Sequence, residues 1–390
     1  MTAYFTSRTQ RRAIGSLFAV AIFVPSLLAA QALTLPPSGE NQVSSVTQWI
    51  GPVEITIDYS SPDVTGPQGQ DRRGQIWGSL VPWGLNNLGF GTSTAAPWRA
   101  GANQNTTITV SHDLQVQGEA LPAGTYGFHI IPEESGPWTL IFSNNSTAWG
   151  SFFYDPSEDA LRVQATPEEA PYREWLSYEF LDRQPTEATV ALHWEELRLP
   201  FTFAVPNRNE IYLATIRQEL QNSPGFTWQN WVAAVNFALG SNQVTEETLT
   251  WANNAISAPF VGQENFNTLV ALGRVQAALG NGSDATATMT RAASHPTASP
   301  IQIHTLARQM QAQGATNGAV SLFKLNAERN GEGWPMSVGL ARAHSAEGNF
   351  KEALRYAKMA HEQAPDPNNR ANLETIIGIL EEGKDFNISN

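Results

Sequence analysis

The sequence predicts an α+β protein of two parts, an antiparallel β-sandwich followed by an all-α array of helical hairpins. Three observations lead to this prediction. Between residues 45 and 205, apolar and polar residues alternate with a period of two, as they do in half-buried strands. After Pro206 the apolar residues follow the helical period. In that second part, glycine, leucine and alanine also recur at one constant interval, which is that of a known helical repeat.

The amino-acid composition limits the kinds of protein to which this chain can belong. The chain has 390 residues, enough for about two or three domains of ordinary size. Hydrophobic residues make up 41%, and 12 tryptophans and 18 phenylalanines supply large side chains for packed cores. A net charge of -13 opposes binding to nucleic acid or to an anionic membrane surface. Because cysteine is absent, disulfides, thiolate catalysis and a cysteine-linked lipid anchor are excluded.

The N-terminal segment 1–32 is typical of a secretory signal peptide. Arg8, Arg11 and Arg12 precede an apolar run at 14–30, and a small-x-small pattern suited to signal peptidase follows at 30–32. An uncleaved anchor is the alternative, but the run is short and Pro25 interrupts it. We therefore expect a signal peptide at 1–32, a linker at 33–44 and an exported protein, periplasmic or extracellular.

Short strands account for the first half. In the stretch 53–59, Val53, Ile55, Ile57 and Tyr59 point to one face. The stretch 125–131 repeats the pattern and predicts that Phe128 points inward and His129 outward. Further alternating stretches, separated by Gly, Pro, Asn and Asp, lie at 138–142, 160–165, 175–181, 188–194 and 197–203. Because turns and not helices separate these strands, the segment 45–206 is predicted to be a β-sandwich.

A series of longer motifs gives this segment a family resemblance. The blocks ITIDYSSP, RRGQIWGSLVPWG, WRAGANQNTTIT, LPAGTYGFHIIP, WTLIFSNN and WGSFFYDPSEDALRV follow one another between residues 55 and 163. In this order they resemble the domain of unknown function 2911 family, over about residues 46–205. The resemblance implies an exported protein, and it carries no established activity. Two Gly-, Asn- and Gln-rich additions, at 67–71 and 85–96, depart from the family pattern and are expected to reshape whatever the WRAGAN block faces.

The second half, residues 207–390, is predicted to be helical. Helical stretches at 211–220, 228–239 and 268–279 are separated by segments rich in Gly, Pro and Asn. Gly280, Gly314 and Gly348 are evenly spaced, and the same interval relates Leu272, Leu306 and Leu340, and Ala285, Ala319 and Ala353. This interval resembles that of tetratricopeptide repeats, which use a turn glycine and a small residue where two helices cross. The repeats are clearest at 266–367, and a looser helical pair or two is expected at 207–265.

The block WRAGAN, residues 98–103, is the main candidate site. Arg99 and Asn103 offer a guanidinium and a carboxamide that suit a carboxylate, phosphate or sugar hydroxyl, with Trp98 as a stacking wall. The structural alternative has Arg99 binding backbone carbonyls, Gly101 supplying a positive φ and Asn103 capping a turn. The block alone does not separate these interpretations.

Other candidates surround this block. Asp58 lies on the polar face of its strand and is expected to reach Arg73 or Arg99, and Trp149 is one of several tryptophans suited to a sugar platform. His129 and His193 are predicted to be exposed and unpaired. Since no closely spaced histidine pair is present, no metal and no cofactor are expected.

Catalytic nucleophile motifs are not supported. PMSVG at 335–339 has Pro335 where a nucleophile elbow needs glycine, and SLFK at 321–324 falls within a predicted repeat helix. The leading hypothesis is a non-catalytic binding or scaffold protein of the cell envelope, whose repeats bind a protein or peptide. Two alternatives stay open: a hydrolase or carbohydrate-active enzyme with a cleft around Arg99, and a module that binds a small polar ligand or sugar.

Overall fold

The computed structural model describes residue 39 and residues 41–387. The predicted signal peptide at 1–32 lies outside these residues, as does most of the predicted linker at 33–44. The first strand begins at Gln42, inside the segment expected as linker.

Strands make up the first half of the described chain. They are β1 (Gln42–Ile50), β2 (Val53–Ser61), β3 (Thr106–Val110), β4 (Leu114–Val116), β5 (Glu119–Leu121), β6 (Gly124–Ile131), β7 (Trp138–Ser143), β8 (Asp159–Ala165), β9 (Glu168–Arg183) and β10 (Glu187–Ala204). A six-stranded sheet has the order β1-β2-β3-β6-β7-β8, and a four-stranded sheet has the order β5-β4-β10-β9. Neighbouring strands are antiparallel throughout both sheets.

The two sheets pack face to face around one core. Phe128 of β6 stacks on Phe201 of β10, with ring centres 5.5 Å apart, and Tyr59 of β2 contacts Tyr178 of β9 at 4.9 Å. Inward residues such as Ile55 and Ile57 are fully buried between the sheets. This arrangement confirms the predicted antiparallel sandwich, since alternation buries one face of each sheet.

The strand boundaries differ from the prediction in the second sheet. The stretches 188–194 and 197–203, expected as two strands, form the single strand β10, and β9 extends well beyond the predicted 175–181. A register shift at Glu195, whose φ is +56°, lets β10 continue through the break in alternation. The side chain of Glu195 accepts a hydrogen bond from the backbone N–H of Gly74.

Helices make up the second half. They are α1 (Arg208–Glu219), α2 (Trp228–Gly240), α3 (Glu246–Ser257), α4 (Phe266–Ala278), α5 (Gly282–Ser294), α6 (Pro300–Ala312), α7 (Thr316–Asn330), α8 (Trp334–Ala346), α9 (Phe350–Glu362) and α10 (Pro367–Glu381). In the part of the chain that the structure describes, none of the helices combines the length and the apolar composition needed to span a membrane.

The constant interval in the sequence corresponds to helical hairpins. The first helices of three hairpins, α4, α6 and α8, begin at Phe266, Pro300 and Trp334, which are spaced by the same interval as the glycines. Gly280, Gly314 and Gly348 end these helices with φ values of +85°, +81° and +75°, a conformation that favours glycine. The alanines predicted at the helix crossing, Ala285, Ala319 and Ala353, are all buried. The predicted repeat arrangement is confirmed.

Helix α1 touches both halves. Ile211 packs against the sandwich core, while Leu213 and Ile216 pack into the first helical core. Arg208 donates a hydrogen bond from Nη1 to the carbonyl oxygen of Pro185, in the β9–β10 turn, at 2.6 Å.

Candidate functional site

A cavity of about 370 Å³ lies beside the sandwich, where the long connection between β2 and β3 meets the connection between β7 and β8. We call it the sandwich cavity, and its size is in the range of small-ligand pockets. Residues of the β2–β3 connection form most of its lining, because that connection folds back on itself instead of forming strands. Its charged, polar and indole-bearing lining residues include Asp63, Arg72, Asn86, Trp98, Arg99, Asn103, Trp149, Ser151 and Trp194.

Arg99 is the central cation of this cavity. Its Nη1 donates a hydrogen bond to the carbonyl oxygen of Asn103 at 2.7 Å. Its guanidinium carbon lies 5.3 Å from the ring centre of Trp149 and 5.2 Å from that of Phe152. A Cβ on Gly150 would collide with the guanidinium, and the φ of +72° at this position also favours glycine. Burial lowers the pKa of Arg99, although a guanidinium stays charged at neutral pH.

No ion pair joins Arg99 to a carboxylate within the described residues 41–387. By contrast, Arg72 also lines the cavity and pairs with Asp63, with Nη2 and Oδ1 3.5 Å apart. Arg72 is further held by a hydrogen bond from Nε to the carbonyl oxygen of Val64 at 3.0 Å. Among the described residues, the cavity therefore contains one neutralised arginine and one without an acidic partner.

Indole rings border the cavity. The rings of Trp98 and Trp194 stack with centres 6.3 Å apart, and Trp77 supports both from the core side at 5.6 and 5.8 Å. Trp149 is 53% exposed and stacks on Phe152 at 5.9 Å. Flat apolar faces thus lie next to a cation.

The turn within the WRAGAN block differs from the structural alternative in one respect. Positive φ values occur at Ala100 (+52°) and Asn103 (+56°), and not at Gly101. Gly101 is needed because a Cβ there would lie 2.7 Å from Thr106 Oγ1 and 3.1 Å from the carbonyl oxygen of Ser60. The carbonyl of the strained Ala100 accepts hydrogen bonds from Tyr178 and Thr106, at 2.8 and 3.0 Å.

Four of the predicted site residues lie together, and three do not. Trp98, Arg99, Asn103 and Trp149 all line the sandwich cavity, whereas Asp58, Arg73 and His129 are outside its lining. Asp58 is exposed on β2, opposite Ser45 and Thr107. Arg73 pairs with Asp71 at 2.9 Å, so the expected contact between Asp58 and an arginine does not form.

The side chain of His129 lies on the outer face of β6, but the prediction that it is exposed and unpaired is wrong. His129 is only 2% exposed, because the connection between β7 and β8 covers the outer face of β6. Its Nδ1 lies 3.0 Å from Ser151 Oγ, and its ring contacts that of Tyr154 at 5.5 Å. Burial, followed by the charge of Arg99, lowers the pKa of His129 to about 4. A general base at neutral pH needs a pKa near 7, so the Ser151–His129 pair is poorly suited to activating a nucleophile.

The same correction applies to His193. It is also buried, and its Nε2 lies 2.9 Å from the carbonyl oxygen of Pro171, because β10 is covered on both faces near its bulge. Residues 41–387 contain no group of three or more His, Cys, Asp or Glu side chains arranged to hold a metal ion.

The sequence did not identify several residues of the cavity, among them Asp63, Arg72, Asn86, Ser151 and Trp194. The signal that pointed to this region was the pair of insertions: Pro67 comes from the first, and Asn86, Leu88 and Ala96 from the second, and all four line the cavity. Nothing in the sequence distinguishes Arg72, which faces the cavity, from Arg73, which is exposed.

A second candidate surface lies on the helical hairpins. Arg274, Arg308 and Arg342 occupy the ninth position of α4, α6 and α8, and so share one face of successive first helices. We call these three residues the arginine row. Arg274 and Arg308 are exposed, and Arg342 is half-buried.

Both halves of the chain are similar to known proteins. Solved structures similar to the helical region include YrrB, described as a TPR protein with an unusual peptide-binding site (18% identity, 43% of this chain and 84% of that chain, TM-score 0.30). Others are a tetratricopeptide repeat protein from Parabacteroides merdae (14% identity, 45% and 70%, TM-score 0.32) and PilW, a type IV pilus biogenesis factor (19% identity, 43% and 75%, TM-score 0.32).

The search of curated proteins finds no match to this chain. The family resemblance predicted from the sequence is confirmed for the sandwich: residues 41–203 match the family described as protein of unknown function (DUF2911).

Proposed function

We propose that this protein is an exported, non-catalytic binding protein whose helical hairpins hold a segment of another protein or a peptide. The single observation that supports this proposal most is the arginine row, because its last member already binds a later piece of the chain itself. We call that piece, residues 385–387, the C-terminal segment. It acts as an internal example of what the row binds.

The C-terminal segment meets Arg342 and its helix with three successive residues. Arg342 Nη1 donates to Asn387 Oδ1 at 3.1 Å, and Asn387 Nδ2 donates to the carbonyl oxygen of Arg342 at 2.9 Å. The ring of Phe386 lies 5.2 Å from the guanidinium carbon. Asp385 Oδ1 accepts a hydrogen bond from Ser345 Oγ at 2.5 Å, one helical turn from Arg342. The segment thus combines a carboxylate, an aromatic ring and a carboxamide.

The electrostatics of the row favour an acidic partner. Burial and the charge of Arg308 lower the pKa of Arg342 to about 10, and Asp385 acts in the opposite direction. In the described chain no carboxylate forms an ion pair with Arg274 or Arg308. Arg274 instead donates from Nη1 to Asn236 Oδ1 at 3.0 Å. The whole protein carries a net charge of -13, whereas the arginine row is a positively charged surface. Such a surface attracts carboxylates.

The proposal of a non-catalytic role is supported by the sandwich. The residues expected to form a catalytic cleft, Asp58, Arg99, Asn103 and His129, do not line one cavity together. Export is proposed on the N-terminal sequence pattern alone.

Binding of an acidic peptide tests the proposal. The probe is a fluorescein-labelled hexaglutamate peptide, with hexaglutamine as the uncharged control, measured by fluorescence anisotropy against the full chain. Replacing Arg274→Gln together with Arg308→Gln should weaken hexaglutamate binding several-fold, because each ion pair at an exposed position contributes about 0.2–1 kcal/mol. Binding should also weaken as salt is added.

The matched control is Lys351→Gln with Arg370→Gln, which removes two exposed cations of α9 and α10. This variant should bind hexaglutamate as the unmodified protein does. A third variant, Asn387→Ala, loosens the C-terminal segment and should increase the affinity. Equal loss of binding in the row and control variants, or equal affinity for the two peptides, would contradict the proposal.

A further inference from the structure

We infer that the sandwich cavity binds a small acidic sugar, with the carboxylate on Arg99 and the sugar ring against the indole walls. This site is separate from the helical hairpins, so the inference does not depend on the proposed function. It uses only residues of the sandwich and rests on the charge, the shape and the polar groups of the cavity.

The charge of the cavity favours binding of an anion. Among the residues that the structure describes, the charged residues of the lining are Asp63, Arg72 and Arg99, and the first two neutralise each other at 3.5 Å. The remaining positive charge is that of Arg99, whose guanidinium is half-buried. Its Nη1 donates a hydrogen bond to the carbonyl oxygen of Asn103, and the group packs against the rings of Trp149 and Phe152. The planar guanidinium matches the geometry of a carboxylate or phosphate better than that of a neutral group. A cation shielded from water gains more from a bound anion than one at an open surface.

The size of the cavity suits a ligand of about one or two sugar rings. A volume of about 370 Å³ lies near the lower end of ligand pockets, which suits one or two rings. Trp98, Trp149 and Trp194 line the space, and Trp98 and Trp194 stack on each other. Aromatic faces pack against the C–H groups of a pyranose, and the indole of Trp149 beside Arg99 places that packing next to the anion site.

The polar groups of the lining suit hydroxyls. Asn86 donates both amide hydrogens to the carbonyl oxygens of Trp83 and Gly84, at 3.1 Å each, so the group it can offer is its own carbonyl oxygen. Ser151 reaches the lining while its Oγ is held by His129 at 3.0 Å. Fixed acceptors and hydroxyls around an apolar wall favour a sugar acid over a purely aromatic acid.

Glucuronate is the probe that tests this inference, with glucose as its uncharged counterpart and inorganic phosphate as a second anion. Isothermal titration calorimetry on the full chain should show that glucuronate binds at least about tenfold more tightly than glucose, which is about 1.4 kcal/mol. Arg99→Gln should abolish this preference. Arg73→Gln removes a neighbouring exposed arginine outside the cavity and should leave glucuronate binding unchanged.

Because Arg99 also holds the turn through Asn103, a second variant separates binding from folding. Trp149→Ala removes a largely exposed indole, leaves the Arg99–Asn103 hydrogen bond in place, and should weaken glucuronate and glucose binding together. The row variant of Arg274 and Arg308 should keep its glucuronate affinity, so the two proposals fail independently. Equal binding of glucuronate and glucose, phosphate binding without glucuronate binding, or glucuronate binding unchanged in Arg99→Gln would overturn the inference.

Discussion

The two halves of this molecule differ in the sizes of the side chains that they bury. The sandwich core contains most of the largest fully buried side chains of the described chain, among them Trp138, Trp194 and Phe128, while the hairpins contribute Phe323. The crossings between hairpin helices instead bury small residues such as Ala319 and Ala353. Sheets face each other about 10 Å apart, so large side chains must fill the gap, whereas a small residue lets two helices approach closely. The sandwich therefore depends mainly on large side chains, whereas the hairpins also need small residues where their helices cross.

The same contrast extends to the two candidate binding surfaces. In the hairpins, one position repeated in successive first helices places Arg274, Arg308 and Arg342 on a common face. In the sandwich, the cavity is assembled from one irregular connection and the β7–β8 connection, without any repeat. A repeated fold thus places the same side chain at regular intervals along a surface. An irregular loop instead brings different chemical groups together in one cavity.

Truncating the sandwich core is expected to have the largest effect. Trp138 is 1% exposed, contacts Trp77 at 5.1 Å and donates from Nε1 to the carbonyl oxygen of Glu133 at 2.8 Å. Trp138→Ala should lower the free energy of unfolding by about 3–5 kcal/mol, through lost burial and the cavity left behind. Chemical denaturation followed by near-ultraviolet circular dichroism measures this loss. Trp149→Ala is the control and should cost no more than about 1–2 kcal/mol, because its half-exposed indole loses only a ring stack and a cation–π contact; similar losses in both variants would refute the packing argument.

Acid should destabilise both halves through a buried histidine in each. Burial is the main cause that lowers the pKa of His129 and of His304 to about 4, from an ordinary value of 6.5. The unfolded chain then binds more protons below pH 6.5, so the stability present above that pH is lost as the pH falls towards 4. Each histidine should account for about 2–3 kcal/mol between pH 7 and pH 4.5.

Unfolding free energies at pH 7 and pH 4.5 test this expectation. His304→Gln should reduce the acid-induced loss by about 2 kcal/mol, and His129→Asn should do the same for the sandwich. His112, which is not buried in the sandwich, provides the control: His112→Gln should leave the loss unchanged. An acid-induced loss that is the same in the buried-site variants and in the unmodified protein would show that other groups cause it.

The smallest effect is expected at the hairpin turns. Gly314 has a φ of +81° with open space around its Cα, so Gly314→Ala should cost about 1 kcal/mol through backbone strain alone. Gly240, the last residue of α2, also has open space but no positive φ, and Gly240→Ala should be neutral or stabilising by up to about 1 kcal/mol. Thermal unfolding compares the two, and a greater loss at Gly240 than at Gly314 would rule out this explanation.

Particular residues show how far the sequence predicts the site. The WRAGAN block led to Trp98, Arg99 and Asn103, and the tryptophan pattern to Trp149, all of which line the sandwich cavity. The alternation of β6 led to a wrong prediction of the exposure of His129. Alternation predicts which face of a strand packs in the sandwich core, but it does not predict whether a later loop covers the opposite face. Asp63 and Arg72 were missed because their pairing depends on how a long loop folds back.

By itself, the sequence determined the class of each half, the period of the hairpins and the positions of the turn glycines. These features follow from contacts between residues close along the chain or from a side-chain period of fixed length. Only the tertiary structure decided that β10 is one strand, that His129 is buried beneath Ser151, and that Arg72 has an acidic partner while Arg99 has none among the described residues. These features depend on which distant loops meet, and that is set by the packing of the whole sandwich and not by any local pattern.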